Sequence, residues 1–103
     1  MASNNPVWVF VDARYSRAGD KHRAEVPALG LAATAESRDE AHEEITKVVA
    51  RHLRPLLVKG QLPGYLEKLG FYEAEGGEWI PRITGEDERI YVHVTPIESL
   101  PMV

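Results

Sequence analysis

The pattern of hydrophobic and polar residues along this chain predicts two helices, with three strands before them and two after. The most regular part is helical, because apolar residues from Ala41 to Leu57 recur at steps of three and four, which is one face of a 3.6-residue period. Ser37 and Glu40 stand in front of this face with the spacing of a capping box, in which each side chain accepts from the other residue's amide. We therefore expect a long amphipathic helix that begins after Ser37 and reaches at least His52.

Three strands are predicted in front of this helix. Residues 7–11 are β-branched or aromatic and apolar at every position, as expected of a central strand that is buried on both faces. Residues 12–20 are polar and are predicted to form a loop. Residues 21–26 alternate as a half-exposed strand that pairs back on the first. Residues 29–35 form the third strand, and the small side chains on one face indicate that the helix packs closely over it.

The second half of the chain is predicted to hold a short helix and two strands. Pro55 has no amide proton and crowds the carbonyl four residues back, so a kink or a break in the long helix is expected near it. Residues 62–70 have the proline and glycine positions of a short helix. Residues 78–83 form a strand that Pro81 confines to the edge of the sheet, and residues 89–95 alternate as a strand with one buried face.

The elements follow the order β-β-β-α-α-β-β, which predicts an α+β fold with an antiparallel or mixed sheet, one face of which is covered by the long helix. A chain of 103 residues has the size of one domain with a modest core. Residues 1–103 are therefore expected to form a single domain, with a helix and hairpin extension from about residue 62.

Composition narrows the class of protein. The 44% of hydrophobic and 27% of charged residues are ordinary for a globular protein, and no apolar run approaches the ~18 residues of a membrane span. The first residues lack the basic and apolar regions of a signal peptide, so a cytoplasmic protein without membrane contact is expected. The absence of cysteine excludes disulfides, thiolate catalysis and cysteine zinc sites. A net charge of −4 argues against a general nucleic-acid binder.

Candidate catalytic and metal-binding chemistry is sparse. The four histidines are not spaced to converge on a metal, so neither a metal site nor a cofactor is expected. Asp12 follows the first apolar strand, as an acid of a ribonuclease-H-type nuclease would, but such a site needs several converging acids. Around the first hairpin, Tyr15 is accompanied by basic residues. These residues could bind an acidic patch or RNA, or they could simply be solvated. These residues are Arg14, Arg17, Lys21 and Arg23.

A series of short motifs runs from the end of the second predicted strand into the long helix. They are Val26-Pro27, Leu29-Gly30, Thr34, Glu36-Ser37 and Asp39-Glu40-Ala41. In this order they resemble the signature of the HicB-like antitoxin family. The resemblance implies a partial ribonuclease-H-like fold of the order β-β-β-α-β. It also implies an antitoxin or antitoxin-like protein that binds and occludes a partner, such as a small RNA-cleaving toxin, and needs no catalytic residues.

We therefore predict a non-catalytic, protein-binding module. Its contact surface is expected to include Tyr15, Arg17, Trp79 and Tyr91, because aromatic and arginine side chains at exposed positions are typical of recognition surfaces. Self-association into a homo-oligomer is expected as well, since an unprotected sheet edge gains by pairing. The residues after Leu69 are predicted to form a hairpin and a tail rather than a DNA-reading helix, so DNA binding is not expected.

Two alternatives remain open at this point. The first is a ribonuclease-H-like, metal-dependent nuclease or an RNA-binding protein that uses Asp12. The second is a stand-alone domain that shares the fold and has an unknown function.

Overall fold

A computed structural model describes residues 6–81 and 88–95. These residues form a six-stranded mixed sheet and two α-helices, which confirms the predicted α+β class. In chain order the elements are β1 (Val7–Ala18), β2 (Lys21–Val26), β3 (Leu31–Ala35), α1 (Arg38–Val58), α2 (Leu62–Lys68), β4 (Phe71–Glu73), β5 (Trp79–Pro81) and β6 (Glu88–Val94). A 3-10 turn at Pro27–Leu29 separates β2 from β3.

Strand β1 is the centre of the sheet. Its first half pairs antiparallel with β6, from Val7 opposite Val94 to Ala13 opposite Glu88. Its second half pairs antiparallel with β2, which in turn pairs with β3. Strand β5 lies parallel to β1, with Val9 in register with Trp79, and β4 pairs with the other edge of β5. The order along this path is β3-β2-β1-β5-β4, and β6 adds to β1.

The two faces of the sheet have different surroundings. Because successive side chains of a strand point to opposite faces, β1 buries Val9 and Val11 and turns Trp8 to the other side. The buried side chains pack with those of α1 and α2 in one hydrophobic cluster. Each large aliphatic side chain buried there contributes about 1.5–3 kcal/mol. Among the described residues no helix covers the opposite face, which we call the open face.

Helix α1 begins as predicted and ends at Val58, within the prediction that it reaches at least His52. The Ser37 hydroxyl accepts a hydrogen bond from the Glu40 amide at 3.1 Å, which confirms the N-cap. Of the kink or break expected near Pro55, the break does not occur, because α1 continues to Val58. Leu53 and Leu57 flank Pro55 and are both buried in the core, so packing offsets the hydrogen bond that the proline cannot donate. Neither described helix is long and apolar enough to cross a membrane.

The predicted loop over residues 12–20 is largely wrong, because β1 continues to Ala18. Its polar second half is held by backbone pairing with β2. The third strand begins at Leu31 rather than at residue 29, since the chain first makes the 3-10 turn and passes through Gly30 at a φ of 68°. This left-handed conformation is one that glycine adopts readily.

The prediction that β5 is an edge strand is wrong. It lies between β1 and β4, and Pro81 is its last residue, opposite Phe71. The edge is formed by β4, which the sequence pattern did not predict. Residues 82 and 83, the end of the predicted strand, lie outside the described residues.

Candidate functional site

Four aromatic rings stand side by side on the open face. We call them the aromatic ladder: Trp8, Phe10, Tyr91 and His93. The pairing of β1 with β6 places Trp8 opposite His93 and Phe10 opposite Tyr91. Trp8 is 39% exposed and Tyr91 is 48% exposed, so the centre of the sheet presents aromatic groups to solvent.

The Trp8 ring is stacked between two neighbours. Its centroid lies 4.2 Å from that of Tyr91 and 4.2 Å from that of His93, with interplanar angles of 10° and 20°. Tyr91 and His93 are two residues apart on β6, about 7 Å along the strand. Both faces of the indole are therefore covered. The Phe10 ring adds an edge contact to Tyr91 at 4.3 Å.

The apolar surface continues across the next two strands. Tyr72 on β4 is exposed and lies opposite Ile80 on β5. Ile80 follows Trp79, which is in register with Val9, so Ile80 lies beside the ladder on the open face. A contiguous exposed surface of this kind marks an interaction site more often than scattered apolar residues do.

Asp12 lies at the end of the ladder and forms an ion pair with an arginine. The Arg89 Nε donates to the Asp12 Oδ1 at 3.1 Å, across the register that pairs these residues. Among the described residues, the Arg89 Nη2 is buried without a hydrogen-bond partner, and no group of three potential metal ligands occurs. The geometry thus shows Asp12 in an ion pair that joins β1 to β6.

This ion pair gives a testable prediction. Asp12→Asn leaves the half-buried Arg89 guanidinium without its countercharge, and we expect the free energy of unfolding to fall by about 1–2 kcal/mol. The measurement is urea denaturation followed by circular dichroism.

The matched control is Glu36→Gln, which removes the exposed ion pair between Glu36 and Lys21. Exposed pairs contribute about 0–1 kcal/mol, so this control should change stability less than Asp12→Asn. Equal effects of the two variants would contradict a structural role for Asp12.

A second surface lies at the far end of β1, where the first hairpin meets the start of α1. We call it the hairpin pocket, a cavity of about 200 Å³ lined by Tyr15, Ser16, Arg17, His22, Arg23 and Arg38. The Tyr15 hydroxyl and the His42 Nδ1 share a hydrogen bond of 2.7 Å. The Arg38 guanidinium lies 4.2 Å from the centroid of the Tyr15 ring. Burial raises the pKa of Tyr15, nearby Glu88 raises it further, and Arg38 opposes both.

The four residues predicted as a contact surface do not share one surface. Tyr15 and Arg17 line the hairpin pocket, whereas Tyr91 belongs to the aromatic ladder. The expectation that Trp79 is exposed is wrong: it is 5% exposed and lies in the core, because its pairing with Val9 turns it toward the helices.

Sequence reasoning missed Trp8 and Phe10. The apolar run that contains them predicts a strand buried on both faces, but its aromatic residues alternate with valines. Tyr91 and His93 alternate with Val92 and Val94 in the same way. This matching alternation in two strands was the available signal for an aromatic open face.

A comparison of the chain with family models, with curated proteins and with solved structures finds no match in any of the three.

Proposed function

We propose that this chain is a non-catalytic, protein-binding module of the HicB-like antitoxin type, which acts by contact through the open face of its sheet. The observation that carries the proposal is the aromatic ladder, a set of exposed rings at the centre of a face that no described helix covers. Aromatic side chains are enriched in protein interfaces and often dominate their binding energy. The order β-β-β-α from β1 to α1 agrees with the fold that the resemblance implies.

The stacking within the ladder favours a protein partner over a nucleic acid. Sheets that bind single-stranded RNA stack bases on free aromatic faces. Both faces of Trp8 are already occupied by Tyr91 and His93. The exposed part of Trp8 can still pack against apolar side chains, which is the contact that a protein surface offers.

The partner that fits best is a basic protein, such as a small RNA-cleaving toxin. A protein that cleaves RNA needs basic surface to bind the phosphate backbone, and this chain has a net charge of −4. Opposite net charges speed association and favour the correct partner. Binding would then occlude the toxin, in the cytoplasm where both proteins are made.

The test is to isolate the partner and rebuild the complex. The tagged chain is used to capture proteins from its source cells, the captured protein is identified and purified, and calorimetry measures its affinity for the chain. The double variant Trp8→Thr/Tyr91→Thr replaces two rings with β-branched residues that also favour strands, and we expect at least about a 100-fold loss of affinity. The control Val58→Lys changes an exposed apolar residue at the end of α1 and should bind like the unchanged chain.

Three results would contradict the proposal. One is a partner that binds the double variant as well as it binds the control. Another is a homodimer, detected by light scattering, that the double variant dissociates and from which no second protein displaces a copy of the chain. The last is Mg²⁺-dependent cleavage of RNA by the purified chain that Asp12→Asn abolishes, which would support the nuclease alternative.

A further inference from the structure

The hairpin pocket is lined by cations and neutral donors. Arg17 and His22 lie on the same face of the hairpin as Tyr15, beneath Arg38, whereas strand alternation directs the side chains of Ser16 and Arg23 to the other face. None of the described residues that line the cavity carries a carboxylate. The pocket therefore carries positive charge in a chain whose net charge is −4.

Two segments distant in sequence hold these groups in place. The pairing of β1 with β2 sets Ser16 opposite Arg23 and Arg17 opposite His22. Arg38, the first residue of α1, closes the pocket from the side of the helix. Its guanidinium is fixed by the Tyr15 ring and by an ion pair with Glu88 at 2.9 Å. A guanidinium that is already ordered loses little conformational entropy when it binds a ligand.

The positive charge of the pocket is only partly neutralised. Arg38 pairs with Glu88, and Arg23 lies 3.5 Å from Glu25, but neither carboxylate lines the cavity. Among the described residues, no ion pair involves Arg17. At least one guanidinium is therefore available to an incoming anion without displacing a carboxylate of the chain.

We propose that the hairpin pocket binds a phosphate group, either free or ester-linked in a nucleotide. A phosphate carries up to two negative charges and several acceptor oxygens in a tetrahedral arrangement, which matches the guanidinium groups of Arg17 and Arg38 and the His22 imidazole, approaching from two segments. A carboxylate has two oxygens in one plane and a single charge, so it would leave part of this donor set unused. A cavity of about 200 Å³ admits a phosphate with its nearest waters, since a water occupies about 30 Å³.

This site is separate from the aromatic ladder. From Phe10 to Arg17 the strand advances about 23 Å, so the two surfaces lie at opposite ends of β1. The phosphate site therefore goes beyond the contact function proposed above and does not depend on it.

The experiment is a set of titrations of the ¹⁵N-labelled chain, followed by the amide signals of residues 15–17, 22, 23 and 38. The probes are inorganic phosphate, adenosine monophosphate, single-stranded RNA oligonucleotides of increasing length and a polyglutamate peptide. We expect the phosphate-containing probes to shift these signals. Arg17→Gln should weaken binding about tenfold or more, whereas Arg51→Gln, an equal change of charge at an exposed position of α1, should leave it within about twofold.

The probes also separate the two sources of phosphate. Equal affinity for phosphate and for the monophosphate supports a free phosphate group as the ligand, whereas affinity that rises with RNA length supports an ester-linked backbone. The proposal is overturned if polyglutamate binds through Arg17 and phosphate does not, if no phosphate probe shifts the pocket signals, or if both arginine variants lose affinity equally. Because Trp8→Thr/Tyr91→Thr should retain phosphate binding, failure of the ladder and failure of the pocket are distinguishable.

Discussion

Ile45→Ala is expected to lower the free energy of unfolding by about 2–5 kcal/mol. Ile45 is fully buried on the face of α1 that packs on the sheet, and its truncation removes apolar contacts and leaves a cavity that the surroundings fill only in part. Domains of this size have a total stability of about 5–15 kcal/mol. Each kcal/mol lost lowers the melting temperature by about 4–8 °C, so thermal unfolding followed by circular dichroism measures the effect.

The matched control is Val58→Ala on the same helix. Val58 is 44% exposed, and a surface substitution of this kind changes stability by about 0.5 kcal/mol or less. Equal effects at the two positions would show that α1 does not cover the sheet through the face that contains Ile45.

Trp79→Ala is expected to lower the free energy of unfolding by about 3–5 kcal/mol, the range for a large aromatic side chain in a core. The indole packs in the same cluster as Val9, with which it is in register across the parallel pair β1 and β5. Loss of this side chain removes the main apolar contribution of β5 to the core. Chemical denaturation measures the change, and Trp79→Phe should recover more than half of it by refilling most of the volume.

The prediction separates two interpretations of Trp79. A tryptophan on an exposed contact surface, as the sequence suggested, can be truncated with little change in stability. A change below about 0.5 kcal/mol together with a loss of partner binding would restore that interpretation and contradict the burial described above.

Local signals predicted the parts of the fold that depend on near neighbours in sequence. Ser37 and Glu40 located the start of α1 because a capping box needs only a few consecutive residues. The apolar stripe from Ala41 to Leu57 identified the buried face because a helix presents one side to the sheet. The alternation of residues 21–26 predicted that β2 pairs back on β1, although not that β1 extends to Ala18.

Long-range pairing explains the parts that local signals missed. The polar second half of β1 looks like a loop until β2 pairs with it from Arg14 to Ala18. Pro55 looks like a helix end until the core buries Leu53 and Leu57 on either side. Trp79 looks exposed until β5 lies beside Val9 and directs the indole inward. In each case the deciding contact is made by a partner that the local sequence does not reveal.

The candidate site also combines residues that local sequence predicted with placements that only long-range pairing determines. Tyr15, Arg17 and Tyr91 were predicted from residue type, since tyrosine and arginine are common in recognition surfaces. The structure assigns them to two surfaces, because Tyr15 and Arg17 lie in the polar half of β1 and Tyr91 pairs with its apolar half. Arg38 joins the hairpin pocket only because α1 returns over the hairpin, which no spacing in the sequence indicates.

The most direct test of the contact function uses the two tryptophans of this chain, one on the open face and one in the core. The indole N–H signals of the ¹⁵N-labelled chain are followed by NMR while the purified partner protein is added. We predict that the Trp8 signal moves and saturates with the partner, whereas the Trp79 signal stays close to its original position. A Trp8 signal that remains unchanged in the fully formed complex would contradict the account, because the partner would then bind away from the aromatic ladder.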